Sequence, residues 1–334
     1  MRIRVCLIAL LLLTSLAVSE AGVSAQSVSK APGVAVFFEA GFPYYGVNPQ
    51  TSPREIVRRL RESGVRAELL GEDALSDPTR FHARAFAALV LPYGNTYPAK
   101  AFAAMRAFHQ AGGALILSGI PFTHAVERNA RGKWDDLGHR GDPALFGPEG
   151  IGVGGFTGPG ADTAPAVAPA DPLGLAALAL DWAPDAGSQR LDPRTLPAGD
   201  FLQPIVGSAQ QPLIALVLHR TPPFQGAVDV WAHRGPEGDL EAWATEQLLL
   251  RGTLVALEHK GLLTGAQRQA AFARFARLPK PPVYANLVLP TVPRPYPTFQ
   301  PKMPPPARHL VVADVRRCTP DERILLLSLQ GLVN

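Results

Sequence analysis

Along residues 33–122, short unbroken apolar runs alternate with stretches whose apolar positions recur at helical spacing. Strands are predicted at 34–38, 66–70, 89–91 and 114–118; Arg66-Ala-Glu-Leu-Leu70 is a short one of mixed polarity, and the others have the continuity of strands buried on both faces. Between the first two, Thr51, Ser52 and Pro53 form a helix entry, with a hydroxyl cap followed by a proline whose missing N–H costs nothing there. Ile56, Val57 and Leu60 share one face, and Gly64 ends the segment. Residues 77–85 read as a connecting turn or helix. Between the last two runs, Phe102, Met105, Phe108 and His109 sit near a helical period, and Gly112 and Gly113 stop it. Strand, helix, strand at this spacing is the right-handed crossover of a parallel sheet. The pattern predicts an α/β domain with a doubly wound parallel sheet.

After Phe122 the pattern loosens. Residues 123–156 are polar and then glycine-rich, and 158–200 mix Pro, Gly, Ala and Asp, so about 123–210 reads as a long excursion from the sheet. Order returns with strands at 213–218 and 226–231, a long helix over 241–263, and an alanine- and arginine-rich helix over 264–278. The stretch 279–307 is dense in proline and reads as a semi-rigid extended linker. Beyond it, 310–314 is a strand and 320–334 an apolar helix with leucines on every side. The expectation is a truncated second domain starting near residue 308.

Composition changes this picture at two places. The apolar share of 47% supports a genuine core, while 34 prolines in 334 residues point to irregular segments beside it. A formal net charge of +4, without a run of basic residues, offers no track for nucleic acid. At the N-terminus, Arg2 and Arg4 precede an apolar run from Val5 to Val18, and Val23, Ser24 and Ala25 supply small residues before Gln26. This is the form of a secretory signal peptide over 1–25, implying a secreted or periplasmic protein with no membrane association after cleavage. Its removal takes Cys6 away and leaves Cys318 as the single thiol, so no internal disulfide can form.

Ligands of such sheets sit beyond the carboxyl ends of the strands. That places Glu39, Tyr44, Tyr93, Asn95, Ser118 and His124 as binding candidates, with Trp231 at the end of a later strand. Tyr44, Tyr45, Tyr93, Tyr97, Trp134 and Trp231 could stack on sugars, or simply pack. Glu39 and Asp229 are the catalytic candidates, as a carboxyl pair for glycosidic chemistry, which needs a separation of about 5–10 Å. Asp229, inside Val-Asp-Val-Trp, reads equally as a hydrogen-bonded structural acid. His124, Glu127, Asp135, Asp136 and His139 match no recognised ligand spacing, so no metal site is assigned. The run of glycines at 150–155 does not leave a strand and enter a helix, so it is no dinucleotide fingerprint. No cofactor is expected, and His109 and His259 carry no assigned role.

The segment Leu91-Pro-Tyr-Gly, with Tyr97-Pro, Phe108 and Gly112-Gly113-Ala-Leu-Ile-Leu-Ser-Gly, resembles the amidotransferase-like, flavodoxin-type domain of bacterial glycoside hydrolases, of which the beta-galactosidase trimerisation domain is one. Phe146-Gly-Pro-Glu-Gly-Ile-Gly-Val-Gly-Gly and Gly226-Ala-Val-Asp-Val-Trp support it, and the resemblance covers about 33–265. Class I glutamine amidotransferases carry a cysteine on the turn after the fourth strand. Here that turn is Ser118-Gly119, with neither a cysteine nor the preceding glycine of a serine elbow. The resemblance therefore implies a domain without its nucleophile, which serves assembly as a homo-oligomer or shapes a carbohydrate cleft. The tail, Ser328 to Asn334, resembles the opening of the GxGYxYP glycoside hydrolase family. The segment that names that family is absent, so no catalytic residue carries over.

Overall fold

The structure, a computed structural model, describes residues 31–44, 51–119, 122–139, 151, 155–157, 167–180, 182, 190–232 and 241–278. The leader at 1–25, the linker at 279–307 and the tail from 308 lie outside these residues, as do Tyr45 and most of the glycine run.

Among the described residues, seven strands build the main sheet. Those in the parallel core are β1 (Gly33–Phe37), β2 (Ala67–Leu70), β3 (Phe86–Leu91), β5 (Ala114–Ser118) and β12 (Val228–Ala232). Their spatial order is β2-β1-β3-β5-β12, every adjacent pair being parallel. Counted as five parallel strands, this is the 2-1-3-4-5 order of flavodoxin-like folds. The expected doubly wound sheet is therefore present. Two antiparallel strands, β11 (Pro212–Leu218) and β10 (Phe201–Gly207), extend it beyond β12.

Alternation along the core strands assigns the two faces. Val34, Val36, Ala88, Val90, Ile116 and Val230 pack under α1 (Pro53–Glu62), α4 (Glu241–His259) and α5 (Gly265–Phe275). Ala35, Phe37, Leu89, Leu91, Leu115, Leu117 and Trp231 face α2 (Glu72–Ser76) and α3 (Phe102–Gln110). Burial on both faces is why these strands read as continuous apolar runs. The helix entry at Ser52 forms as expected, its hydroxyl accepting from the Glu55 N–H, with Pro53 in the first turn.

Where the apolar pattern loosens, the chain is ordered differently from the expectation. Residues 72–76, before the expected turn, make α2. The polar stretch after Phe122 holds β6 (His124–Arg128) and β7 (Trp134–His139), which join β4 (Thr96–Pro98) in a small three-stranded sheet. β8 (Gly155–Thr157) pairs with β9 (Arg190–Asp192). The excursion thus lies between the fourth and fifth parallel strands and also supplies β10, the outer strand of the antiparallel extension of the main sheet.

Candidate functional site

In a sheet of this order the ligand crevice opens where the winding reverses, outside the carboxyl ends of β1 and β3. Here aromatic side chains fill it. Tyr93, just past β3, meets Phe37 and Phe42 edge-on, with ring centroids 5.4 and 4.8 Å away. Phe42 in turn meets Phe37 and Trp134 at 4.8 Å each. Tyr93, Phe42 and Tyr44 are all buried. The Tyr93 hydroxyl donates to the Glu39 carbonyl at 3.5 Å, and burial holds its pKa up at about 12. These rings are packing, so Tyr44, Tyr93 and Tyr97 do not offer free faces for sugar stacking. Trp231 is likewise fully buried, its indole N–H donating to the Gly119 carbonyl at 3.1 Å.

The turn after β5 is equally closed. Ser118 is buried, and its hydroxyl donates to the Leu91 carbonyl at 3.4 Å. Gly119 has φ +87°, and a Cβ there would lie 2.8 Å from the Gly94 Cα and 2.9 Å from Asn95 Oδ1. Backbone meets backbone at this turn, which only glycine permits. The Asn95 carbonyl accepts the His124 N–H at 3.0 Å, and the buried His124 ring shares a hydrogen bond with Thr123 at 3.3 Å. Of the metal-type residues weighed in the sequence, β6 and β7 align His124 with His139 and Glu127 with Asp135. The ladder strings them along two strands rather than around a point.

Glu39 does line a recess. It lies two residues past β1 in a polar cleft of about 220 Å³ with Glu72, Asp73, Lys100, Glu127, Arg128 and Asn129. This falls below the ~300–1,000 Å³ usual for small-molecule sites. Both of its cations are paired: Arg128 to Glu39 at 2.6 Å, with Glu72 at 4.0 Å, and Lys100 to Asp73 at 2.6 Å. Glu39 also accepts the Glu72 N–H at 2.9 Å, at the start of α2. Glu72 is only 4% exposed and its Oε1 has no hydrogen-bond partner. Burial raises its pKa despite Lys100 and Arg128 nearby.

Asp229 is elsewhere, which corrects the pairing with Glu39. The register sets Asp229 level with Leu115, Leu115 with Leu89, and Leu89 with Ala35. Glu39 is thus four residues further along and three strands across, roughly 13 Å by 14 Å. That is too far for two carboxyl groups to work on one glycosidic bond. Asp229 instead anchors a buried polar cluster at the amino ends of β5 and β12. Its Oδ1 receives the Leu115 N–H at 3.1 Å and His109 Nε2 at 2.8 Å, and its Oδ2 meets His219 Nε2 at 2.8 Å. His219 Nδ1 contacts Asp200 Oδ2 at 2.6 Å. Burial alone would raise the Asp229 carboxyl, but the imidazoles of His109 and His219 outweigh it and hold its pKa at about 2. For His219 burial opposes the charge, and Asp229 and Asp200 prevail, so its pKa is raised. The reading of Asp229 as a hydrogen-bonded structural acid fits this position; nothing in the spacing of His109, Asp200 and His219 announced that they would join it.

No protein-family model matches the chain, and no curated protein matches it. Among solved structures, an exo-beta-1,4-mannosidase from Opitutaceae bacterium strain TAV5 aligns with 75% of this chain and 36% of its own, at 15% identity and a TM-score of 0.33. A beta-galactosidase from Bacillus circulans sp. alkalophilus aligns with 69% of this chain and 31% of its own, at 12% identity and a TM-score of 0.33. A protein described as ThuA-like, from Bacteroides uniformis ATCC 8492, aligns with 68% of this chain and 93% of its own, at 11% identity and a TM-score of 0.35. The chain thus spans about a third of the length of the two glycosidases. Scores of this size carry no argument about function, and the fold rests on strand order and register. No helix among the described residues is long and apolar enough to cross a membrane.

Proposed function

We propose that this chain is a non-catalytic accessory module of an exported, carbohydrate-related protein, acting through assembly or glycan contact rather than turnover. The observation that carries this reading is the filled crevice: Tyr93, Phe42 and Phe37 occupy the place where a flavodoxin-like sheet receives its ligand. Ser118, at the position of an amidotransferase nucleophile, is directed at a backbone carbonyl. The motifs shared with amidotransferase-like domains of glycoside hydrolases supply the carbohydrate context, and the apolar leader supplies export to the periplasm or beyond. The polar recess at Glu39 and Arg128 is the surface that would meet a sugar hydroxyl.

The test uses the chain from Gln26 onward. It is assayed with glutamine, aryl esters and a panel of aryl glycosides, then titrated with glycans by calorimetry and sized by light scattering. Background turnover, with either a bound glycan or a defined oligomer, is the expected result. Turnover that Ser118→Ala or Glu39→Gln abolishes would replace this reading with an enzymatic one. A strict monomer that binds no glycan would end the accessory role.

A further inference from the structure

The cluster around Asp229 lies at the opposite end of the sheet from the filled crevice and has no part in the proposed function. We propose that His109, His219 and Asp229 form a structural binding site for a zinc-class divalent ion. The three residues come from α3, the turn after β11, and β12, yet their ligand atoms all lie within 4.8 Å of one another. Each Asp229 oxygen faces a different imidazole Nε2, both at 2.8 Å. An ion set among them meets two nitrogens and a chelating carboxylate, four donors without water. Two imidazoles and a carboxylate are a ligand set of the zinc type. The ring centroids of His109 and His219 are 5.0 Å apart at 90°, close to the ~5 Å expected of two imidazoles on one tetrahedral ion.

Around His219 the outer shell has the form that metal sites use, while His109 Nδ1 is buried without a hydrogen-bond partner. A ligating histidine commonly gives its second ring N–H to a carboxylate, which fixes the ring and makes it a better donor. His219 Nδ1 does this with Asp200 at 2.6 Å. Asp200 is fixed in turn by the N–H groups of Arg220 and Thr221, at 2.9 and 3.2 Å, and by the Thr221 hydroxyl at 2.9 Å. Phe224 lies 4.8 Å from the His109 ring and 5.8 Å from His219, closing the site with an apolar wall. All three ligands are buried, as is Phe224. A closed site with no position open to water is structural rather than catalytic. The ion would replace the protons that the two Nε2 atoms share with Asp229 and tie the antiparallel extension to the parallel core.

The chain from Gln26 is stripped with a chelator, refilled with zinc chloride and analysed for bound metal. One zinc per chain is expected, with a melting midpoint raised by roughly 5–10 °C at zinc about a hundredfold above Kd. His109→Gln and His219→Asn should each lose the bound ion, while His259→Ala keeps it. Should the histidine variants not fold, zinc-edge X-ray absorption on the unaltered chain decides: two imidazoles in a nitrogen and oxygen shell are expected. Substoichiometric zinc, no shift in melting, or a shell lacking two imidazoles overturns the site and leaves a purely hydrogen-bonded cluster.

Discussion

At Gly113 the added Cβ of any other residue would stand 2.3 Å from the Phe108 ring. Phe108 is buried and packs against Phe81, the rings tilted by 32° with centroids 4.5 Å apart, so it has little room to withdraw. Gly113→Ala should therefore cost about 1–3 kcal/mol, the range of overpacked cores, read as a lower urea midpoint with an unchanged slope. Ser118→Ala is the contrasting case. Its one hydrogen bond is long, at 3.4 Å, and the loss should be at most ~1 kcal/mol. Glu72 gives a prediction with a pH sign. Burial raises its folded pKa above the unfolded value, so its contribution to stability is intact below the unfolded pKa and is lost as pH rises through the folded one. Glu72→Gln should then melt higher than the parent at pH 7, and the gap should close as the pH falls below the ordinary carboxylate range. A Gln variant that melts lower at pH 7 would show that Arg128 outweighs burial.

Among the elements, α4 and α5 depend on one buried cation. Arg251 donates to the carbonyls of Leu173 and Gly174 at 2.9 and 3.2 Å and to that of Phe272 at 3.4 Å, and its guanidinium lies 4.5 Å over the Phe272 ring. Burial lowers its pKa to about 10. It joins α4 to α5 and to residues 173–174 of the excursion. Arg251→Met would take this donor from the Leu173 and Gly174 carbonyls at ~1–3 kcal/mol each, while the Phe272 carbonyl keeps the Ala276 N–H at 3.0 Å. Hydrogen exchange should accelerate first in Gly265–Phe275, with the parallel core unchanged. The parallel strands and α1, α3, α4 and α5 were legible because their apolar runs and periods are local, and for α1 because its cap is too: Ser52 with Pro53. β4, β6 and β7 were not legible, since three to six residues of mixed polarity on a small outer sheet carry no clear period. β10 was hidden for a related reason: an edge strand is half exposed and this one includes Pro204.

For the whole molecule, the site was only partly readable. Glu39 and Ser118 were correctly placed at strand ends, because strand boundaries are local. Whether a side chain at such an end faces solvent depends on what covers it, and that is set by distant segments. Trp134, from the excursion, caps Phe42, and Gly94 seats itself against Gly119. The pairing of Glu39 with Asp229 failed for the same cause: register across three strands is a property of the assembled sheet, not of either strand.

The outer margin of the main sheet has one more consequence. Pro204 lacks a donor, and the pairing of β10 with β11 shifts register on either side of Val206. An edge interrupted in this way is a poor template for a neighbouring polypeptide. If copies of this protein associate, a continuous intermolecular sheet along β10 is disfavoured. A partner approaching this side would have to meet it through helices or loops, so the β10 rim is a built-in barrier to fibre growth, whereas β2 forms the opposite edge of the sheet.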